Sequence, residues 1–527
     1  MRLRLLFAIA LVVILLIPSC APRESHEPAQ VDSLRVQAEE LIKAQSLMGW
    51  SSWAFGAPSN QDSLYKANAG LFTLDNIKLV QRVEQAETSA VQKKRLSYFV
   101  RYLATEYISK TNAALSDEAS NLESRATVRF DGKSIPYRQV NSILSNEKSH
   151  RRRAGLYAAV DPVLDSLNII QQQIEENSLH LAKELGYPSY NQMAERLKGF
   201  SLDDLKSVSE RVLAETESTY TVLLNEILRK QLNLKPAEFH RCDIAPIFRN
   251  ARFDPYFPGG TMIEALKKTY QQLGVNIDEQ HNLRIDSEVR PAKNPRAVCY
   301  PIDVPNDIRL SIKPIGGFDD YSALFHEMGH GEHYANTKEN AMEFKYLGEP
   351  TVTENFAFLS EYLLSNQAWL RTHTNMPTSV EKDFLRFQAF HRLYFIRRYS
   401  AKFLYELQLH SGVAHPESLY AALQSKALEF REIPSDARRY LTDLDAFYYS
   451  ASYLRAWYLE AQLNAKLTRD YGVNWFENPR AGQYLLSLWS NGDRYDGNEL
   501  VKMIGDSAIT PDALMNELKM IVVFSAK

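Results

Sequence analysis

The stretch YSALFHEMGHGEHYAN, residues 321–336, holds three of the chain's twelve histidines and decides how the rest of the sequence is interpreted. Within it, His326, Glu327 and His330 form the pattern HExxH. On an α-helix, residues four positions apart lie about 40° apart around the axis and one turn apart along it, so both imidazoles can reach one ion. Glu327 is then placed to take a proton from a water on that ion. The pattern predicts a zinc site carried by a helix.

The residues around this motif predict where the helix begins. Gly316-Gly317 interrupts the preceding segment, and Asp319 or Asp320 can cap the helix that follows. Residues 323–333 then fit a helix, although this stretch contains two glycines.

A catalytic zinc also requires a third protein ligand. A histidine six positions after His330 would be one, but position 336 is asparagine. His333 shares the face of the motif, yet it lies about 10 Å along the axis from His326, too far to complete the same triad. We interpret His333 either as a residue beside the site or lining a substrate channel, or as part of the core.

The other candidate ligands are acids in the segment LGEPTVTENFAFLSEYLL, residues 347–364. Glu349 precedes a proline, which predicts a loop before the next helix. Glu354 and Glu361 lie two turns apart on one face of an amphipathic helix. One of two such acids can bind zinc while the other orients a histidine. We predict Glu354 as the third ligand and Glu361 as the orienting carboxylate.

The rest of the sequence is typical of a large, mainly helical protein. Hydrophobic residues make up 45% of the 527 positions and recur at three- and four-residue spacings from about position 32 onward. The formal charge of −3 gives no argument for nucleic acid as a partner. Residues 297–313 alternate like two short strands around a turn, and their prolines favour an edge position. Such a ribbon could hold an extended peptide, or it could be purely structural.

The N-terminus has the features of a targeting segment. A basic start followed by the apolar run 5–17 predicts a signal peptide over residues 1–19. The apolar run is shorter than a typical membrane-spanning helix. The Ser-Cys pair that follows resembles a bacterial lipoprotein signal, in which Cys20 becomes a lipid anchor. This predicts an exported protein of the cell envelope, with a secretory signal or an uncleaved anchor as the alternatives.

Three further regions follow in the predicted organisation. Residues 20–31 are expected to form a tether, 32–200 an N-terminal helical region and 201–527 a catalytic helical region. Cys242 and Cys299 could form one disulfide in an exported protein, or they could remain two free thiols. We expect a monomer.

The metal motif and the helical glutamates resemble those of the thimet oligopeptidase, neurolysin and oligoendopeptidase F family, which is related to the angiotensin-converting enzyme group. HEMGHGEH is close to the family's H-E-F-G-H-x-x-H, and Glu354 and Glu361 match both glutamates of E-x-P-S-Q-x-x-E. Weaker similarity is carried by YFPGGTMIEALKKTYQQLGV, residues 256–275, and by AKELGYPSYNQM, residues 182–193. The resemblance implies a two-lobed helical fold, a deep substrate channel, one zinc ion at its floor and a small sheet on one wall.

The resemblance also implies aromatic hydroxyls from a late helix. In DLDAFYYSASYLRAWYLEAQL, residues 443–463, Tyr449 and Tyr453 match two of the family's tyrosines, and Ala456 occupies the third position. Because a phenol can donate to a developing oxyanion, we predict Tyr453 as that donor and Tyr449 as the alternative. Arg455 resembles a channel arginine of the angiotensin-converting enzyme group, with a surface or ion-paired arginine as the alternative.

These features together predict a zinc metallopeptidase that hydrolyses short peptides, with Glu327 as its base. One alternative is an enzyme that trims dipeptides, like a dipeptidyl carboxypeptidase. It requires a cation, such as Arg438 or Arg439, to hold the substrate's terminal carboxylate. The other alternative is an inactive peptide-binding lipoprotein with the same fold.

Overall fold

Helices dominate the computed structural model, which describes residues 27–58 and 60–526. The expected mainly α class is therefore confirmed. The predicted signal segment 1–19 and the predicted lipid anchor Cys20 lie outside the described residues. Among the described helices, none combines the length and the apolar character that crossing a membrane requires.

The first half of the described chain is built mainly from helices. They are α1 (Glu27–Phe55), α2 (Gln61–Ala67), α3 (Leu74–Ala86), α4 (Ala90–Arg125), α5 (Val140–Asn146), α6 (His150–Ala158), α7 (Asp161–Glu184), α8 (Tyr190–Lys198), α9 (Leu202–Ile227), α10 (Ile244–Arg249) and α11 (Met262–Gln272). The helices of the second half carry the predicted site residues. They are α12 (Phe318–Ala335), α13 (Met342–Tyr346), α14 (Thr351–Glu361), α15 (Gln367–His373), α16 (Thr378–Leu409), α17 (Pro416–Leu428), α18 (Pro434–Ala437), α19 (Tyr449–Tyr471), α20 (Pro479–Trp489), α21 (Gly497–Met503) and α22 (Asp512–Ala526).

Within the described residues, five short strands form two small sheets. They are β1 (Thr127–Phe130), β2 (Lys133–Pro136), β3 (Leu283–Asp286), β4 (Val298–Asp303) and β5 (Asp307–Ser311). β1 and β2 form an antiparallel hairpin, and the second sheet has the order β3-β5-β4.

The predicted ribbon over residues 297–313 is present, but the prediction that it is only an edge hairpin is wrong. β5 is the central strand, because β3 pairs with it in parallel on the side away from β4. β3 was not predicted from the sequence. Its four residues are too few for a clear alternation of apolar and polar side chains, and its partner strand β5 lies more than twenty positions away in the chain. β4, which contains Pro301, is the edge strand, as its proline requires.

The structure shows where two of the predicted boundaries fall. α1 begins at Glu27, with Pro28 in its first turn, so residues 27–31 of the predicted tether are helical. The predicted boundary at residue 200 falls between α8 and α9. The largest hydrophobic cluster includes Ala194 and Leu202, so it continues across that boundary.

The helix that carries HExxH begins earlier than predicted. Its N-cap is Gly317, which has a φ of 94° and makes no side-chain cap. Asp320 lies in the first turn, where its Oδ2 accepts hydrogen bonds from the backbone N–H groups of Ile315 and Gly316, both at 2.8 Å. Asp320 therefore fixes the entering loop rather than capping the helix itself. The predicted choice of Asp319 or Asp320 as the N-cap is wrong.

Candidate metal centre

The two helices that carry the predicted ligands, α12 and α14, touch at Gly329. A Cβ atom at this position would lie 2.4 Å from the carbonyl oxygen of Phe356 and 2.6 Å from Cα of Ala357. A side chain cannot approach backbone atoms so closely, so only glycine fits here. Gly329 thereby sets the distance between the histidines of α12 and Glu354, which lies in the first turn of α14.

The structure brings His326, His330 and Glu354 together in one cluster. Glu354 Oε2 lies 3.4 Å from His326 Nε2 and 3.6 Å from His330 Nε2. Glu354 is only 3% exposed, and this oxygen makes no hydrogen bond of good geometry within the described residues. The three side chains form a group that can hold a metal ion.

Each histidine is oriented through its other ring nitrogen. His326 Nδ1 lies 2.9 Å from Glu361 Oε2, and His330 Nδ1 lies 2.7 Å from Thr353 Oγ1. A proton on each Nδ1 leaves the two Nε2 lone pairs directed toward Glu354. Glu361 thus lies where an orienting carboxylate is expected. A role for Thr353 was not predicted from the sequence. Its position directly before the candidate ligand Glu354 was the one signal that could have indicated it.

Burial and carboxylates together control the charge of the cluster. Burial lowers the pKa of His330 to about 4, so this imidazole is neutral at neutral pH. Burial acts in the same direction on His326, but the Glu354 and Glu361 carboxylates outweigh it and raise the pKa of His326 well above its usual value. Burial raises the pKa of Glu354, yet the two histidines outweigh this effect and lower it. A cation bound here would displace the proton that His326 otherwise holds.

Glu327 is held beside the cluster by the edge strand β4. Its Oε2 accepts a hydrogen bond of 2.7 Å from the backbone N–H of Cys299. That N–H points away from β5, so it belongs to the unpaired edge of the sheet. Burial raises the pKa of Glu327 against the opposing effects of His326 and of the Cys299 N–H. A carboxylate with a raised pKa is a better proton acceptor at neutral pH.

The two predicted tyrosines have different surroundings. The Tyr449 hydroxyl donates to Glu354 Oε1 over 2.6 Å, so it is tied to a candidate ligand. The Tyr453 hydroxyl makes no hydrogen bond within the described part of the chain, and its ring packs 5.7 Å from that of Phe358. Burial, with the Glu354 and Glu327 carboxylates, raises the pKa of Tyr453, so its hydroxyl keeps its proton. Tyr453 is therefore the free donor of the pair.

The start of α19 is held in an unusual backbone conformation. Phe447 and Tyr448 have φ values of 51° and 52°, in the left-handed region that side chains rarely adopt. Buried Glu406 supports this turn, because it accepts hydrogen bonds from the Asp445 N–H at 3.0 Å and from the Ser450 hydroxyl. The strained turn places Tyr449 at the first residue of α19, facing Glu354.

His333 packs in the core. Its side chain is fully buried between the rings of Tyr334, at 5.4 Å, and Phe356, at 5.0 Å. Burial lowers the pKa of His333 to about 4. This placement matches the core interpretation of the residue rather than a position beside the metal ligands.

The three candidate arginines have different surroundings. Arg455 donates to the Asn498 side chain over 2.8 Å, and its guanidinium covers the ring of Phe200. Arg438 forms an ion pair with Asp165, whereas Arg439 lines a separate cavity.

Both cysteines within the described residues are free thiols. Cys242 is buried, and Cys299 lies half-buried on β4. The free-thiol alternative therefore holds, and the disulfide alternative is wrong.

Two comparisons of the chain with known proteins found no match. No model of a known protein family matches the chain, and no curated protein matches it at the significance required.

Proposed function

We propose that this protein is a zinc-dependent metallopeptidase that hydrolyses peptide bonds in short peptides. The observation that carries the proposal is the convergence of two Nε2 atoms on a buried carboxylate oxygen that has no other partner, with Glu327 beside them. A buried, unpaired carboxylate oxygen is costly unless a cation or a donor meets it. A metal ion at this point would satisfy all three side chains at once.

The donor set fits zinc. Two imidazole nitrogens and one carboxylate oxygen are a common ligand set of catalytic zinc, and they leave the fourth position open. Ligand atoms held 2.0–2.2 Å from a tetrahedral ion lie about 3.4 Å apart, and the two measured separations are 3.4 and 3.6 Å. His326, His330 and Glu354 would therefore hold one zinc ion per chain with little rearrangement.

When bound, zinc would supply Lewis acidity, which lowers the pKa of water and polarises a carbonyl group. Glu327 takes the proton from the attacking water and later gives it to the leaving amine. The Cys299 N–H fixes the Glu327 carboxylate in place for both transfers. Tyr453 donates its free hydroxyl to the oxygen on which negative charge develops. Tyr449 holds Glu354 in its ligand orientation.

The substrate class and the setting rest on the family resemblance. A two-lobed fold with a deep channel would admit an extended peptide and exclude a folded protein. The unpaired edge of β4 lies beside Glu327, where it could pair with the backbone of such a peptide. The N-terminal pattern adds a lipid anchor at Cys20 and a place in the bacterial cell envelope, where the protein would act as a monomer.

One experiment separates this proposal from its alternatives. Zinc content would be measured on the purified protein, and product masses would be determined for a mixture of peptides of roughly five to fifteen residues, a length implied by the channel. Internal cuts with about one zinc per chain support the oligopeptidase. Release of C-terminal dipeptides indicates the trimming enzyme, and binding without cleavage indicates the inactive protein.

The base is tested by Glu327→Gln, which should retain about one zinc and lose orders of magnitude in rate. Glu332→Gln is the matched control, since Glu332 is a second buried glutamate of α12 and bonds to Gln280 and Asn336 instead. Activity of Glu327→Gln within about threefold of the unaltered protein would overturn the assignment of the base.

A further inference from the structure

A cavity of about 270 Å³ between α5, α6, α10 and α16 has an unusual lining. Three arginines, Arg241, Arg398 and Arg439, line it, and none of its lining residues in the described part of the chain carries a carboxylate. Phe248 and Phe395 contribute apolar walls. Cations gathered in a pocket with apolar walls favour a bound anion, because such walls screen the charges less than water does.

The positive charge of this cavity is only partly compensated. Arg241 and Arg398 share one carboxylate, that of Asp443, which lies 3.1 Å from the Arg241 guanidinium. Arg439 has no carboxylate within 4 Å in the described part of the protein. Its Nε donates instead over 2.6 Å to the Tyr157 hydroxyl, which in turn donates to the buried carboxylate of Asp436 over 2.8 Å, and the Arg439 guanidinium stacks 4.0 Å above the Tyr157 ring. The stacking fixes the orientation of Arg439 while leaving its outer N–H groups available.

Tyr394 supplies a second donor without a partner. The residue is only 4% exposed and lines the cavity, and its hydroxyl makes no hydrogen bond to any described residue. The hydroxyl therefore keeps its hydrogen available to an acceptor that enters the cavity. A planar guanidinium and a phenol that line the same cavity can both donate hydrogen bonds to the oxygens of a carboxylate.

Successive ring contacts lead from the wall of this cavity toward Tyr453, which lies near the candidate metal centre. The ring of Phe395 lies 6.5 Å from that of Tyr399, which lies 5.4 Å from that of Tyr453. An extended peptide advances about 3.3 Å per residue, so this row of rings corresponds to roughly four residues.

We propose that the cavity binds a carboxylate of the peptide substrate, roughly four residues from the bond that is cut. This inference rests on the proposed peptidase function, because it places the anion on a peptide held at the metal centre. The carboxylate belongs either to the peptide's C-terminus or to an acidic side chain. Arg439 and Tyr394 are its direct partners, while Arg241 and Arg398 supply the surrounding positive charge.

The test measures binding without cleavage, by calorimetry on the Glu327→Gln protein. Three kinds of eight-residue peptide share one sequence. The first has a free C-terminal carboxylate and no acidic side chain, and the second has a C-terminal amide. The third kind is a series of peptides that keep the C-terminal amide. Each of them carries one Glu in place of a Gln, at a different position in the C-terminal half of the peptide. We expect the first or the third kind to bind at least tenfold more tightly than the second, and the preferred kind identifies the source of the carboxylate.

Adding Arg439→Gln should remove this preference, and Tyr394→Phe should reduce it. Arg438→Gln is the matched control and should leave it unchanged, because the neighbouring Arg438 pairs with Asp165 outside the cavity. Equal binding of all peptides, or a preference that survives Arg439→Gln, would overturn the proposal. If Arg439→Gln fails to fold, Tyr394→Phe decides alone. A binding preference for the carboxylate in a protein that cleaves no peptide would contradict the peptidase proposal and support the cavity assignment. Cleavage of peptides without this binding preference would support the peptidase proposal and contradict the cavity assignment.

Discussion

Two buried glutamates on either side of Pro350 have opposite surroundings. Glu349 is 4% exposed and lies 3.5 Å from Lys198 Nζ, and it accepts hydrogen bonds from the Ser452 hydroxyl and from the Thr351 N–H. Glu354 is 3% exposed, faces two histidines and keeps one oxygen without a partner. The two acids have the same chemistry, similar burial and neighbouring places in the chain.

The difference shows how a structural acid is distinguished from an acid that can bind a cation. A buried carboxylate is tolerated only when its charge is compensated. The chain compensates Glu349 with its own lysine, which comes from α8. It compensates Glu354 by a hydrogen bond from Tyr449 and by the positive charge of His326, and a metal ion can replace the proton that gives His326 this charge.

The largest expected effect comes from removing each acid in turn. Glu354→Ala should lower the zinc content far below one per chain and abolish hydrolysis, because two imidazoles alone hold zinc poorly. Glu349→Ala should retain the zinc. Metal analysis of the two purified variants checks the comparison directly. Zinc lost from Glu349→Ala and kept by Glu354→Ala would reverse the roles assigned here.

A second prediction concerns the lysine that distinguishes the two sites. Lys198→Met leaves Glu349 buried without its counter-ion, so the free energy of unfolding should fall by about 3–5 kcal/mol. Replacing both partners, as in Lys198→Met with Glu349→Leu, should restore most of that loss. Denaturation of the single and double variants in urea measures the effect. A single variant as stable as the parent would show that the pair is not what stabilises Glu349.

The third prediction separates the two tyrosines around Glu354. Tyr453→Phe removes the free hydroxyl and should raise the activation free energy by about 2.7–4 kcal/mol, mostly through kcat. Tyr449→Phe should instead weaken zinc binding, because it removes a donor to Glu354. Steady-state kinetics at saturating zinc distinguish the two. If only Tyr449→Phe lowers kcat under those conditions, the roles are exchanged.

A fourth, smaller effect is expected where the ligand helices touch. Gly329→Ala should push α12 and α14 apart, lowering stability by about 1–3 kcal/mol and weakening zinc binding. Gly331→Ala is the control, since its Cβ would meet only the flexible end of Leu283, at 3.2 Å. Thermal unfolding and zinc titration measure both variants. Equal zinc affinity in the two would show that the contact does not position Glu354.

The smallest effect concerns a third acid, which contacts the Glu349 segment. Asp493 Oδ2 accepts the Gly348 N–H over 3.2 Å, and burial raises the pKa of Asp493 to about 7. Between the unfolded pKa of 3.8 and about 7, the folded protein binds a proton that the unfolded chain has released. The resulting stabilisation of the folded protein is complete below pH 3.8, the unfolded pKa. It is lost as the pH rises through the folded pKa of about 7. Asp493→Asn does not titrate, so its melting temperature should rise by a few degrees relative to the parent between pH 4 and 8. Parallel pH profiles would contradict this.

The sequence indicated the candidate ligands because their spacing reflects local helix geometry. HExxH and the two glutamates of α14 needed only the helical period and elementary zinc chemistry. Thr353, the Cys299 N–H and Lys198 could not be predicted with the same rules, since each is brought to its partner by packing between distant segments. Gly329 is the clearest case. Within α12, a glycine at this position only destabilises the helix. Its role is to allow α14 to approach α12 closely.

The contact at Gly329 has a consequence for how the protein would gain and lose its ion. Because helix packing at Gly329 holds the histidines and the glutamate in register, we expect the scaffold to assemble before any metal binds. A chelator would then strip the centre without melting the chain, and added zinc would restore it at the speed of ligand exchange. This behaviour is opposite to that of zinc fingers, in which the ion and the fold appear together.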